Sequence, residues 1–356
     1  MRDRPTVDLT GTAWCLARSS TGRRMIGNLQ LLRGYAALAV VVYHLGFTYG
    51  LPHGTDFKGV AIFFVISGFL MSGFAHQSPA VFLWRRLARI APLYWASTFL
   101  MVWLFGGWAW HDWRDVALSL AFVPHLDARG TWQPTLGVGW TLVLEMWFYL
   151  LFAGAMALVG RRAPLFVAGL LVALVAVLQV SGTRNVWALY LGHLYNLHFV
   201  LGIALFYATR SMKRPAVERP MLWLVLPLVM GIGAVICLSE PPPPDSWSHV
   251  ISYMVPASIV GAAVWLARIG ADMQNRWAMR LGDASYAVYL LHTIGIEWFR
   301  QKGVILHESV GWSVAFVVAL VAVSYAVFRL FEVPARTILT RRPLRSGQAK
   351  PEPAVM

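Results

Sequence analysis

What this chain can fold into is set by the repeated return of apolar stretches about as long as a bilayer is thick. A helix rises 1.5 Å per residue, so crossing the ~30 Å of hydrocarbon takes about 20 apolar residues. Ten such stretches can be read, at roughly 29–49, 57–75, 91–108, 137–159, 163–181, 187–208, 221–239, 248–268, 282–299 and 310–331. Lipid offers no partner to a bare N–H or C=O, so segments of this length cross as helices that satisfy their own backbone. Hydrophobic residues make up 58% of the 356 and charged residues 13%, with a mean hydropathy of +0.59, which no water-soluble domain of this size shows. The expected fold is an all-α integral membrane protein of about ten transmembrane helices.

The net charge of +14 has to be read against that frame of spans. Basic clusters fall at Arg23/Arg24, Arg85/Arg86/Arg89, Arg161/Arg162, Arg210/Lys213/Arg214/Arg219, Arg268/Arg276/Arg280 and Arg336/Arg341/Arg342/Arg345. With ten spans, all of them land on one side, which the positive-inside rule makes the cytoplasm. The other side receives 50–56, the Trp-rich 106–136, 181–186, Pro241–Pro244 and the basic pair Arg300–Lys302. Both termini are therefore expected in the cytoplasm and the protein in the bacterial inner membrane. The positive charge meets anionic lipid, and no soluble basic face suggests a nucleic-acid partner.

Residues 1–26 lack the apolar core of a signal peptide and read as a disordered cytoplasmic tail. Residues 27–336 form the membrane domain, and 337–356 read as a basic, disordered cytoplasmic tail. Cys15 and Cys237 lie in different environments and suggest neither a disulfide nor a metal site. In the 106–136 connection, Trp108, Trp110, Trp113 and Trp132 suit anchoring at the headgroup level better than sugar stacking. The piece Asp115–Pro124 is too short to span and reads as an interfacial or re-entrant helix.

Ionisable groups within spans are costly and so are functional candidates. Arg33 and His44 are eleven residues apart in the first span, which is about three turns, ~20° of drift and roughly 16 Å along one helix face. Glu145 lies well inside the fourth span, with Tyr149 one turn further on the same face. A histidine with a carboxylate nearby is equipment for deprotonating a hydroxyl, although each residue also has a bland role as an interhelical hydrogen-bonding group. Ser67 and Gly68 suit close helix packing, and His193 and His198 suit structure. Ser285 and His292 are two turns apart on one face, as suits either site lining or packing. No HExxH, GxSxG or phosphate-loop pattern occurs.

Six pieces taken in order carry a family resemblance. They are Leu32-Arg-Gly-Tyr-Ala-Ala-Leu-Ala-Val-Val-Val-Tyr-His44, Gly59-Val-Ala-Ile-Phe-Phe-Val-Ile-Ser-Gly-Phe-Leu70 and Arg85-Arg-Leu-Ala-Arg-Ile-Ala-Pro-Leu-Tyr-Trp95, followed by Trp140-Thr-Leu-Val-Leu-Glu-Met-Trp-Phe-Tyr149, Gly282-Asp-Ala-Ser-Tyr-Ala-Val-Tyr-Leu-Leu-His292 and Phe331-Glu-Val-Pro334. Together they resemble the membrane acyltransferase-3 family, and within it the branch that acetylates exopolysaccharides. The resemblance implies O-acylation of an exported or surface carbohydrate, or a lipid-linked glycan, from cytoplasmic acyl-CoA, with acetyl-CoA the expected donor and no metal.

The family's arginine–histidine signature falls on Arg33 and His44, its second arginine motif on Arg85, Arg86 and Arg89, and its acidic residue on Glu145. His44 would then be the general base or a transient acyl carrier, with Glu145 orienting its imidazole. The arginines would hold the donor's phosphates, and Tyr43, Ser67, Trp140, Tyr149, Ser285 and His292 would line the substrate site. The competing reading is a proton-coupled transporter or flippase of an envelope precursor, with His44 and Glu145 as a relay. It lacks the repeated halves and matching broken helices that such proteins show.

The charge pattern predicts that a reporter fused after Arg214 will read as cytoplasmic and one inserted in the 181–186 turn as periplasmic. The opposite result at either site would break the ten-span arrangement.

Overall fold

The computed structural model describes residues 26–46, 58–106, 112–127, 130–210, 247–273 and 275–341. Among these residues every regular element is helical and none is a strand. The elements are α1 (Gly27–Gly46), α2 (Gly59–Ser72), α3 (Pro79–Met101), α4 (Trp113–Leu120), α5 (Trp140–Val159), α6 (Ala163–Ser181), α7 (Val186–Leu191) and α8 (Asn196–Arg210). They continue as α9 (Trp247–Arg268), α10 (Arg276–Gln301), α11 (Val310–Val327) and α12 (Val333–Arg341). Five helical stretches are long and apolar enough to cross a membrane: Gly27–Gly46, Pro79–Gly106, Gly137–Ser181, Val186–Arg210 and Val310–Thr340. The described residues are thus all-helical, as a membrane protein of this hydropathy requires.

Several expectations lie outside the described residues. They are the span at 221–239, nearly all of the first tail, the last tail beyond Arg341, Pro241–Pro244, Trp108, Trp110, Cys15 and Cys237. Among the boundaries that differ from the sequence reading, two concern the basic residues. α3 begins at Pro79, so Arg85, Arg86 and Arg89 lie within the helix rather than before it. Proline at the first helical position needs no N–H there, which explains the early start. At the other end, α12 runs to Arg341, into the segment assigned to the polar tail. In the 106–136 connection, α4 is the short helix expected, capped by Asp112 accepting from the Arg114 N–H at 2.9 Å.

α1 is the centre of the bundle. It packs on α10, α2 and α9, and α2 packs in turn on α8. Small residues make these contacts possible. A Cβ built on Gly68 would lie 2.1 Å from the Phe199 carbonyl oxygen, and one on Gly202 would lie 2.1 Å from that of Val65. α2 and α8 therefore touch backbone to backbone, the small-residue packing that membrane helices use where no hydrophobic drive separates helix from lipid. By contrast, α6 and α11 expose Val177, Val180, Val314 and Val318, as suits a lipid-facing rim.

Gly202→Ala is expected to destabilise the protein by about 1–3 kcal/mol or more through this clash. Gly154→Ala, with nothing within 4 Å of the added methyl, should be neutral or slightly stabilising. Thermal unfolding in detergent of the two variants side by side checks the contrast.

Candidate active site

Buried polar residues at the N-terminal end of α1 tie it to α9 and α10. The Asn28 amide nitrogen donates to the carbonyls of Ala263 at 3.1 Å and Ala271 at 2.9 Å, and its oxygen accepts from the Met273 N–H at 2.8 Å. Gln30 donates to Asp283 Oδ1 at 2.7 Å, and its amide oxygen accepts from Arg33 Nη1 at 3.0 Å. A Cβ on Gly282 would fall 2.3 Å from the Gln30 carbonyl, so this glycine allows α10 to come close enough for the bridge. The result is a relay from Arg33 through Gln30 to Asp283, fixed on two helices.

Arg33 lies in the wall of a cavity of about 350 Å³ that also has Arg85, Arg86, Arg89, Arg329 and Arg336 around it. Asp283 and Glu332 are its acidic residues. Arg85 is exposed and donates to Gln77 at 3.4 Å. Arg86 is buried, with its guanidinium 5.2 Å from the Phe74 ring centroid. Glu332 sits in a π-helical turn, Phe328–Glu332, joining α11 to α12. That wider turn carries the carboxylate into the bundle, where it is buried and its Oε2 makes no hydrogen bond. Arg89, Arg33 and Arg336 act on it electrostatically, so positive charge from three helices offsets its burial.

Arg33, Arg86 and Arg89 also line a second, narrower cavity of about 80 Å³ further into the bundle. Ser67, Glu145 and Tyr149 form one wall of it. Ser67 Oγ donates to Glu145 Oε1 at 2.7 Å, and the Tyr149 hydroxyl donates to the same oxygen. Ser67 thus serves as more than the packing residue its small size suggests, while its neighbour Gly68 makes the tight helix contact. Thr141 and Tyr289 close the far end. The Tyr289 hydroxyl lies 2.7 Å from Thr141 Oγ1 and donates to the Val138 carbonyl at 2.9 Å.

Beyond that end stand two histidines. His44 Nδ1 is 2.9 Å from the Val40 carbonyl oxygen and 3.2 Å from His292 Nε2. The two rings are 4.8 Å apart, and the His292 ring is 5.9 Å from that of Tyr289. His292 is fully buried, His44 is half-buried, and Tyr43 meets the His44 ring edge-on at 5.2 Å. The hydrogen bonds of Glu145 go to Ser67 and Tyr149, while the imidazole of His44 bonds to its own helix and to His292. The structure therefore gathers the expected residues into two groups instead of one histidine–carboxylate pair.

Two residues expected at the substrate site stand elsewhere. Ser285 is buried and bonds back to the Gly282 carbonyl at 2.7 Å. Trp140 belongs to an aromatic group with Trp132, His193 and Tyr195, at ring distances of 5.6, 5.4 and 5.7 Å.

Comparison with known proteins completes the description. Residues 26–329 match the acyltransferase domain of the acyltransferase-3 family, and the chain belongs to that family. It is an enzyme, a membrane O-acyltransferase. The chain is similar to the exopolysaccharide production protein ExoZ of Rhizobium meliloti (strain 1021), at 29% identity over 82% of this chain and 90% of ExoZ. It is also similar to the putative peptidoglycan O-acetyltransferase YrhL of Bacillus subtilis (strain 168), at 31% identity over 36% of this chain and 23% of YrhL. No solved structure is a significant match to it.

Asp283, Glu332, Thr141 and Tyr289 are site residues that sequence reasoning did not single out. Asp283 and Glu332 stand in the Gly282–His292 and Phe331–Pro334 pieces and were findable as carboxylates at the ends of membrane spans. Thr141 and Tyr289 carry no such signal, because their importance comes from meeting across helices. Tyr149→Phe removes one of the two donors to Glu145 and is expected to cost about 1–3 kcal/mol of stability. Thermal unfolding against Tyr207→Phe, a hydroxyl outside both cavities, checks this.

Proposed function

We propose that this enzyme moves an acetyl group from acetyl-CoA, on the cytoplasmic side of the bacterial inner membrane, to a hydroxyl of an exported carbohydrate or lipid-linked glycan. The observation that carries the reading is the pair of cavities sharing Arg33, Arg86 and Arg89. Guanidinium groups at an inward-facing mouth suit the phosphates of a nucleotide-bearing donor, since each offers a planar fork of donors to phosphate oxygens. The narrow inner cavity suits a slender arm more than a sugar, and it leads towards the histidine pair. His44 takes the proton of the acceptor hydroxyl, the resulting oxygen bonds to the thioester carbonyl carbon, and the thiolate leaves. Arg85, exposed at the rim, meets the outermost phosphate. Glu145, held by Ser67 and Tyr149, shapes the passage between the arginines and the histidines.

The carbohydrate acceptor is supported by the names of the relatives, one concerned with exopolysaccharide and one with peptidoglycan O-acetylation. A transporter reading finds less support, because donor-sized basic entry and a histidine pair are more than a proton relay requires.

The test uses the full chain in lipid nanodiscs with radiolabelled acetyl-CoA, together with mass spectrometry of surface glycan from cells with and without the gene. His44→Ala is expected to lower kcat by about 10²–10⁴-fold. Arg89→Gln is expected to raise the KM for acetyl-CoA about tenfold, the loss of one charge-assisted contact. Proton-coupled flux of an envelope precursor with no consumption of acetyl-CoA would overturn the reading.

A further inference from the structure

We propose that His292 is the positioning residue of His44, holding the tautomer whose free lone pair lies on His44 Nε2. The inference rests on the acyl-transfer reading above. The Val40 carbonyl oxygen has only lone pairs to offer, and it stands 2.9 Å from His44 Nδ1. That nitrogen therefore carries the hydrogen. His292 Nε2 stands 3.2 Å from the same atom. A protonated ring nitrogen cannot accept, so His292 Nε2 is itself the acceptor, the second arm of a three-centre bond. The proton of His292 is then on its own Nδ1, a buried atom beside the Val288 and Tyr289 backbone that has no partner in hydrogen-bond geometry.

With both contacts on Nδ1, the base of a neutral His44 is Nε2, on the opposite edge of the ring. This arrangement persists through the reaction. The acceptor O–H bond breaks, its proton passes to His44 Nε2, the oxygen forms a bond to the thioester carbonyl carbon, and the C–S electrons leave with the thiolate. The new imidazolium keeps its Nδ1–H between the Val40 oxygen and the His292 lone pair. A neutral acceptor at that point stabilises the cation, the role a carboxylate plays in other histidine-dependent sites. Glu145 is occupied with Ser67 and Tyr149.

His292 is also built to stay in place. It is fully buried on α10, the helix that packs most closely on α1. One turn before it, Tyr289 is pinned by Thr141 and the Val138 carbonyl. A packing role alone would ask only for a side chain of this shape. A positioning role asks for an acceptor atom where Nε2 now stands.

The experiment compares His292→Gln, whose amide oxygen reaches the Nε2 position, with His292→Asn, whose amide is too short, and His292→Leu, which has no acceptor. Each full-length variant in nanodiscs is first checked by thermal unfolding, then assayed for kcat and for the KM of acetyl-CoA. His292→Leu and His292→Asn are expected to lose about a hundredfold or more in kcat, with KM within about twofold of the parent. His292→Gln should recover kcat to within about tenfold. Equal kcat for Gln and Asn variants that fold alike would overturn the proposal, as would full activity of His292→Leu. His44→Ala run in parallel separates the two ideas. Activity surviving that substitution defeats the base reading itself, whereas loss there with full activity in His292→Leu defeats only the role of His292.

Discussion

A polar group at bilayer depth survives only if another part of the bundle meets it, and the approach of α1 to α10 is where this protein satisfies that demand. Gly282 lets the two backbones come within reach of one another, and several of the interior's polar groups lie along the contact. Asn28 saturates its amide on three backbone groups, Gln30 bridges Arg33 to Asp283, and His44 finds His292 further along the same pair of helices. Each of these would be expensive alone in lipid. Placed along one seam, they form a line running from a charged entrance to a pair of imidazoles.

The seam also explains how charge is graded through the site. Arginines dominate the entrance, but Asp283 and Glu332 stand among them, so the guanidinium groups do not face each other without counter-charge. Further in, hydroxyls around one carboxylate join the three shared arginines, and beyond them stand the rings of His44 and His292. Positive charge therefore falls off from the arginine-lined cavity towards the imidazole pair. In the α2–α8 contact, the absence of side chains at Gly68 and Gly202 lets the two backbones touch, while Ser67, next to Gly68, donates to Glu145.

Much of the fold could be read from composition and spacing, because a span of apolar residues has few ways to exist in lipid. The helical class and the existence of most helices followed from that alone. Boundaries were harder. α3 starts a full two turns before Arg86, since helix formation ignores where hydrophobicity begins. Arg33, His44, Glu145 and Tyr149 stood out as ionisable or paired groups on single helices, and Tyr149 does bond to Glu145 as its one-turn spacing implied. Contacts between helices were beyond such reasoning. Nothing in the spacing of the chain says that His44 meets His292 across α1 and α10, or that Glu145 takes its second donor from α2, because helix rotation and depth are decided by packing.

The π-helical turn at Phe328–Glu332 has a consequence for how this family of chains can vary. A turn of that kind holds one surplus residue relative to its α-helical neighbours. Dropping that single residue would restore regular winding and swing all that follows by roughly 100° about the axis. Arg336 and Thr340, which now close the outer wall of the arginine-lined cavity, would be carried round to another side. The entrance is thus keyed to chain length at one spot as much as to the identity of its charges.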